Sequence, residues 1–292
     1  MTVVFLFPGQ GVQRQNMGVE LFARFPALTE AASAALGYDL RELCADEERL
    51  AQTRYTQPAT YVVSALALRA AREDGLSPDV ALGHSLGEYN ALEAAGVFGF
   101  LEGLELVRLR ADITSQAAVG AMTAVQGLAE ETVCEALGDP RVRGVEAVNF
   151  NSPTQTVLAG PESALASAEQ LMRDLGAADV RRLAITGAFH SSHMREAAAD
   201  FGARLERFSF EEPAIPVVSN LTARPHSAAD IAGALVRHVH SPVRWHQSVT
   251  WVVENFQDVS FHQPGVSQVL VRMLRQIPAA ANLLSAAAGG AR

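Results

Sequence analysis

Pro78-Asp79-Val80-Ala81-Leu82-Gly83-His84-Ser85-Leu86-Gly87-Glu88 reads as a strand, a sharp turn and the start of a helix. Val80 to Leu82 is a short apolar run, the pattern of a strand buried on both faces. Gly83 to Gly87 spells G-x-S-x-G, with small residues on both sides of Ser85 where a crowded, strained backbone needs them. Glu88 to Ala95 then continues at helical spacing. A helix beginning just after Ser85 aims free N–H groups and its positive end at that hydroxyl.

Working outward, Val3 to Phe7 is a second continuous apolar run, ended by Pro8-Gly9. Ala59 to Arg72 is Ala/Leu-rich at helical spacing. Leu101 to Ala118 is an amphipathic helix with Leu104, Val107 and Ile113 among its apolar positions, and it carries Arg108 and Arg110. The texture changes near Gly120. Ala121–Val125, Val145–Val148 and Thr156–Ala159 read as short strands, with helices over Ala129–Leu137 and Ser163–Leu175. Val180 to Ile185 completes a β-α-β-β-α-β unit of the ferredoxin-like kind. The organisation is therefore α/β, with residues 1–119 and 189–292 forming a large domain and 120–188 a small inserted subdomain. The Ala- and Gly-rich tail after Ile277 is expected to be a frayed end.

The bulk numbers narrow the function. With 292 residues, 49% of them hydrophobic and 19% charged, the chain can bury a large core. A formal net charge of −9 without a basic run disfavours nucleic acid as a partner. Every basic residue is Arg, so a lysine Schiff base and a P-loop lysine are excluded. Cys44 and Cys134 make neither a disulfide framework nor a metal cluster, and both are expected to be free, buried thiols. No apolar run approaches the ~20 residues of a membrane span, and the N-terminus lacks a signal-peptide pattern. The expectation is a soluble, cytoplasmic protein.

A serine hydroxyl is a weak nucleophile and needs a base. His190, in Gly187-Ala188-Phe189-His190-Ser191-Ser192-His193-Met194, is the candidate, with His193 a competitor on spacing alone. His84 adjoins Ser85 in sequence, and its side chain must leave the opposite side of the strand end.

These residues belong to a set of separated motifs in one order: Phe7-Pro8-Gly9-Gln10-Gly11, Thr56-Gln57-Pro58-Ala59, Gly83 to Glu88, Asn149-Phe150-Asn151-Ser152-Pro153, Ala188-Phe189-His190-Ser191, Ser219-Asn220-Leu221-Thr222 and Ser241-Pro242-Val243-Arg244-Trp245. Through about residue 275 the chain resembles malonyl-CoA:acyl carrier protein transacylases, most of all the free-standing, trans-acting acyltransferases of polyketide and fatty acid synthesis. The resemblance implies a hydrolase-like large domain with a parallel central sheet. It implies Ser85 as the acylated nucleophile, His190 as general base, and the backbone N–H groups of Gln10 and Leu86 as the oxyanion hole. Donors of that kind are each worth about 10²–10³-fold in rate. The imidazole would be held by the main-chain carbonyl of His238, where relatives usually have Gln.

Arg110 matches the arginine that clamps a malonyl carboxylate, a task suited to a planar, permanently charged fork. Gln57, Asn151, Phe189 and His84 resemble residues lining the same site. The implied substrate is malonyl-CoA, the acceptor the phosphopantetheine thiol of an acyl carrier protein, and the enzyme a monomer without metal or tightly bound cofactor. Arg181, Arg182 and Arg195 are the candidate basic face for an acidic carrier protein. Ala111 and Thr114 replace the usual Gly and Met, and Phe261-His262-Gln263-Pro264-Gly265 replaces an acidic motif, changes that border the acyl pocket in the family and point to an acyl group other than plain malonyl. Two rivals use the same serine. One is an editing hydrolase of the same fold, against which Arg110 argues. The other is an esterase triad completed by Asp174 or Asp179. A carrier-docking module without chemistry is a third.

Overall fold

The computed structural model describes residues 1–265 and 267–289. In chain order the first half has β1 (Thr2–Phe7), α1 (Val19–Arg24), α2 (Pro26–Leu36), α3 (Leu40–Ala45), α4 (Glu47–Leu50), α5 (Thr53–Glu73), β2 (Val80–Gly83), α6 (Gly87–Ala94) and α7 (Phe100–Gln116). There follow β3 (Ala121–Gln126), α8 (Glu130–Ala136), β4 (Glu146–Ser152), β5 (Gln155–Gly160), α9 (Glu162–Asp174) and β6 (Asp179–Thr186). The chain ends with α10 (Arg195–Leu205), β7 (Val217–Val218), α11 (Ala228–Val239), α12 (Trp245–Asn255), β8 (Val259–His262), α13 (Val269–Leu274) and α14 (Pro278–Gly289).

One sheet has the order β7-β2-β1-β8, and every pairing in it is parallel. Its central strand explains the continuous apolar run at the N-terminus. Phe5 and Phe7 of β1 pack into a core with α5, α6, α7, α10 and α11. Val4 and Leu6 point the other way, into a core with α12, α13 and α14. Side chains alternate across a strand, so a strand covered on both faces must be apolar at every position.

The second sheet has the order β4-β5-β3-β6 and is antiparallel throughout. With α8 and α9 crossing between its strands, it is the β-α-β-β-α-β arrangement read from residues 121–185. A seam joins it to the rest of the chain: Phe150 donates its N–H to Val243 O at 2.9 Å, and Val243 N–H donates to Val148 O at 2.9 Å.

Two readings are corrected. The tail expected to fray is a helix over Pro278–Gly289, because Ala280 is buried and Leu284 packs against the second core, which neighbouring alanines do not signal in sequence; residues 290–292 lie outside the described part. Cys134 is exposed on α8, whereas Cys44 is buried and its thiol is pushed up to about 12 by desolvation.

The turn after β2 works only because two backbones nearly touch. A Cβ on Gly83 would lie 1.9 Å from the carbonyl carbon of Gly87, and one on Gly87 would lie 2.0 Å from Phe7 O. Those partners are backbone and have nowhere to go. Gly87→Ala should therefore lower unfolding free energy by more than about 3 kcal/mol, above the usual range for overpacking; urea unfolding checks this, and a loss under 1 kcal/mol would contradict it.

Candidate active site

Ser85 sits in the left-handed region, φ 52°, between the end of β2 and the start of α6. A non-glycine residue there is strained, and the surrounding bonds must hold it. Asn220, just past β7, does this: its Oδ1 accepts from Ser85 N–H at 2.8 Å, while its Nδ2 donates to Gly83 O at 2.6 Å. Its own N–H donates to Glu88 Oε1 at 3.1 Å.

The Ser85 hydroxyl is turned to His190, whose Nε2 lies 2.7 Å away. His190 Nδ1 donates to the backbone carbonyl of His238 at 2.9 Å. That bond fixes the proton on Nδ1 and leaves the Nε2 lone pair facing Ser85. Burial holds the His190 ring well below its ordinary ionisation range, and the nearby His238 and Arg110 push the same way. At neutral pH the imidazole is therefore a free base. Asp174 accepts from Gln170 and Asp179 opens β6, so neither aspartate serves His190. His193 points elsewhere, to Gly144 O at 2.8 Å.

Arg110 on α7 is buried and directed at the same point. Its Nη2 donates to Ser85 Oγ at 3.2 Å and its Nη1 to Gln57 Oε1 at 2.6 Å. Burial opposes its charge, and Tyr89 and Glu88 offset part of that cost. Among the described residues, the backbone N–H groups of Gln10 and Leu86 have no acceptor in the protein. Leu86 precedes the first residue of α6, where such amides are ordinarily free. The Gln10 side chain donates to Thr53 Oγ1 at 3.1 Å.

The cavity at Ser85 is small, about 60 Å³, and Gln57, Arg110, Met122, Ile185 and Phe189 help to line it. That is room for on the order of five water-sized groups. A larger cavity of about 400 Å³ adjoins it, reached past Gln10, His84 and Asn151, with Arg181 and Arg272 at its edge. His84 Nε2 is bonded to Asn151 Oδ1 at 2.8 Å, and Asn151 Nδ2 donates to Gln155. Burial pushes the His84 imidazole down to about 4.

The structure thus brings together Ser85, His190, Arg110, Gln57, Gln10, Leu86, Phe189, His84 and Asn151, with the carbonyl of His238 behind them. It does not bring Ala111, Thr114 or Gln263 to the small cavity. Thr114 Oγ1 donates to Arg110 O, and Gln263 Oε1 accepts from Leu270 N–H at the start of α13. These departures from the family pattern act on helices. Of the three candidate docking arginines, Arg182 is paired with Glu169 at 2.6 Å, and Arg181 edges the larger cavity.

Sequence reasoning quoted Asn220 and Glu88 within motifs without giving either a role, and passed over His226. Glu88 was signalled, since it stands one helical turn after Ser85, facing inward. It is buried between His226 Nε2 at 2.7 Å and His238 Nδ1 at 2.9 Å. Burial raises its pKa, but His238 and His226 outweigh that and hold the carboxyl well below the usual range. Met122 and Ile185, which wall the cavity from the second sheet, carry no local signal.

The parallel sheet, the strand–Ser85–helix turn and the small antiparallel sheet define a hydrolase-like α/β protein with an added subdomain. The chain belongs to the acyl transferase family, whose acyl transferase domain profile matches residues 4–289. The polyketide biosynthesis protein ThaF of Burkholderia thailandensis is 44% identical over 276 residues, which are 94% of this chain but 24% of ThaF. The chain therefore spans about a quarter of that relative. The polyketide biosynthesis malonyl CoA-acyl carrier protein transacylase BaeC of Bacillus velezensis is 39% identical over 281 residues, 94% of this chain and 96% of BaeC. Among solved structures, the complex PlMCAT:AntF, a type II PKS acyl-carrier protein with its malonyl-transacylase, matches at TM-score 0.90 and 34% identity, covering 98% of this chain and 99% of that one.

The low-lying imidazoles make stability pH-dependent. Unfolded, His84 regains its ordinary affinity for protons, so below pH ~6.5 the unfolded chain binds more protons than the folded one. Stability is therefore full above pH ~6.5 and falls as pH drops toward 4, with His84 and His190 each taking up a proton on unfolding. Urea midpoints measured across this range should fall with pH, and less steeply in His84→Gln; identical slopes would contradict the assignment to His84.

Proposed function

We propose that this chain moves a malonyl group from coenzyme A, through an ester on Ser85, to the phosphopantetheine thiol of an acyl carrier protein. The observation that supports this best is Arg110: a buried guanidinium 3.2 Å from Ser85 Oγ, in a cavity with room for a group of malonyl size. A desolvated, unpaired cation costs several kcal/mol, and a bound carboxylate would offset that cost.

In the proposed cycle His190 Nε2 takes the Ser85 hydroxyl proton as Oγ attacks the thioester carbonyl. The developing oxyanion accepts from the N–H groups of Leu86 and Gln10, which keep their direction without reorganising. The C–S bond then breaks, and the departing CoA sulfur takes the proton from His190. The carrier thiol next gives its proton to His190 and attacks the ester. Collapse of that second intermediate returns the proton to Ser85 Oγ. The His238 carbonyl keeps the imidazole in register through both halves, in the place an aspartate fills in triads. Arg110, braced by Gln57, holds the malonyl carboxylate and so fixes the angle of attack. His84 and Asn151 flank the path of the pantetheine arm through the larger cavity. That cavity lies where residues 120–188 meet the body formed by 1–119 and 189–292. The setting proposed is the cytoplasm, with the enzyme working as a monomer on a polyketide or fatty acid carrier.

Intact mass after brief exposure to malonyl-CoA should show one malonyl adduct on the wild type and none on Ser85→Ala. His190→Ala should load at least about 10³-fold more slowly. Arg110→Ala should lose about 10²-fold in malonyl loading and much less with acetyl-CoA, which has no carboxylate to bind. An absence of adduct with rapid hydrolysis would turn the assignment to an editing hydrolase. Equal losses on both donors would remove Arg110 as the clamp.

A further inference from the structure

His238 enters the proposed cycle only through its backbone carbonyl, yet its side chain is the most closely engaged ring beside the base. The two imidazoles are stacked, with centroids 4.6 Å apart and planes at 29°. On its far side His238 Nδ1 faces Glu88 Oε2 at 2.9 Å, and both residues are buried. Glu88 is gripped from two further directions, by His226 and by the Asn220 N–H. A carboxylate sealed away from water is costly unless a cation stays with it. Two imidazoles face this carboxylate, and one of them, His238, lies flat against His190.

We propose that the buried Glu88–His238 pair is a positioning device for His190: the His238 ring, anchored to Glu88 on one side and stacked on His190 on the other, sets both the placement of that imidazole and its readiness to take a proton. This role rests on His190 acting as the general base proposed for acyl transfer. Two stacked rings do not both carry charge at low cost, so drawing positive charge toward Glu88 on the His238 side disfavours a proton on His190. The other charged or titratable groups facing His190 are Arg110 from α7 and His84 and Ser85 from the turn after β2. Arg110 acts in the same sense as the pair. The second sheet contributes apolar Met122 and Ile185 to this wall and no charge. The side chain at 238 thus has a role separate from that of its carbonyl.

His238→Gln tests this directly. It leaves the carbonyl that accepts from His190 and introduces the residue relatives usually carry, so the fold should tolerate it; His238→Asn is a second uncharged variant. Removing the intervening imidazole while Glu88 stays ionised leaves a buried negative charge behind His190 and raises the affinity of His190 for a proton. With ¹⁵N-labelled histidine, the His190 titration midpoint should rise by about one pH unit in His238→Gln. The acidic limb of malonyl loading on Ser85 should rise with it, whereas a purely structural role would lower the plateau and the melting temperature without moving either midpoint. His190 midpoints that coincide in the wild type and both variants would overturn the proposal. The NMR midpoint is read without any acyl donor, so a failure of loading itself would count against the acyl-transfer reading and leave the effect of the pair on His190 standing.

Discussion

The contact on which the site depends is between two stretches of backbone, Phe7 at the end of β1 and Gly87 at the start of α6. Their approach brings the helix end against the central sheet. That fixes where the chain must reverse after Gly83, and Ser85 is left at φ 52° with its hydroxyl facing the cleft. A left-handed serine costs on the order of 1–3 kcal/mol, and it persists only where neighbours over-determine it. Here the neighbours are two glycines that permit the approach and Asn220, which binds both arms of the turn. The same turn opens α6, so that among the described residues the Leu86 amide has no acceptor. Strain, a free donor and an aimed hydroxyl share one geometric cause.

The His190 side is built by a similar economy. His190 is also in the left-handed region, φ 62°, and its ring is fixed by a main-chain acceptor in place of an acidic side chain. An imidazole whose immediate partner is a carbonyl rather than a carboxylate is less basic, and burial lowers its basicity further. A weaker base is more fully deprotonated at neutral pH, at the cost of a smaller driving force for proton transfer. The acidic group that the site does contain, Glu88, is one layer back, where it meets histidines on two sides.

Much of this could be read from the order of residues. The apolar runs at Val3–Phe7 and Val80–Leu82, the helix carrying Arg110, and the β-α-β-β-α-β pattern after Gly120 all follow from local periodicity, and each lies within a few residues of its observed element. Ser85, His190 and Arg110 were legible because each is a chemically demanding residue in a motif. The roles of Asn220 and His226 were not, since they arise from contacts across 135 and 138 positions, and the wall residues Met122 and Ile185 carry no local signal. The final helix escaped notice because an Ala-rich tail reads the same whether it packs or frays. Thr114 and Gln263, departures from the family pattern, bond to the backbone of α7 and α13, so a change near a motif can also serve the helix beside it.

The cavity around Ser85 draws its reactive groups from one sheet system and part of its apolar wall from the other. Ser85, Arg110 and Gln57 belong to the body around the parallel sheet, while Met122 and Ile185 project from β3 and β6. Chemistry and fit are thereby encoded in separable stretches of the chain. Substitutions in two strands of the inserted sheet can enlarge or narrow the chamber without touching the compressed turn, so under the proposed function this architecture lets descendants change their acyl group while keeping Ser85, His190 and Arg110 in place.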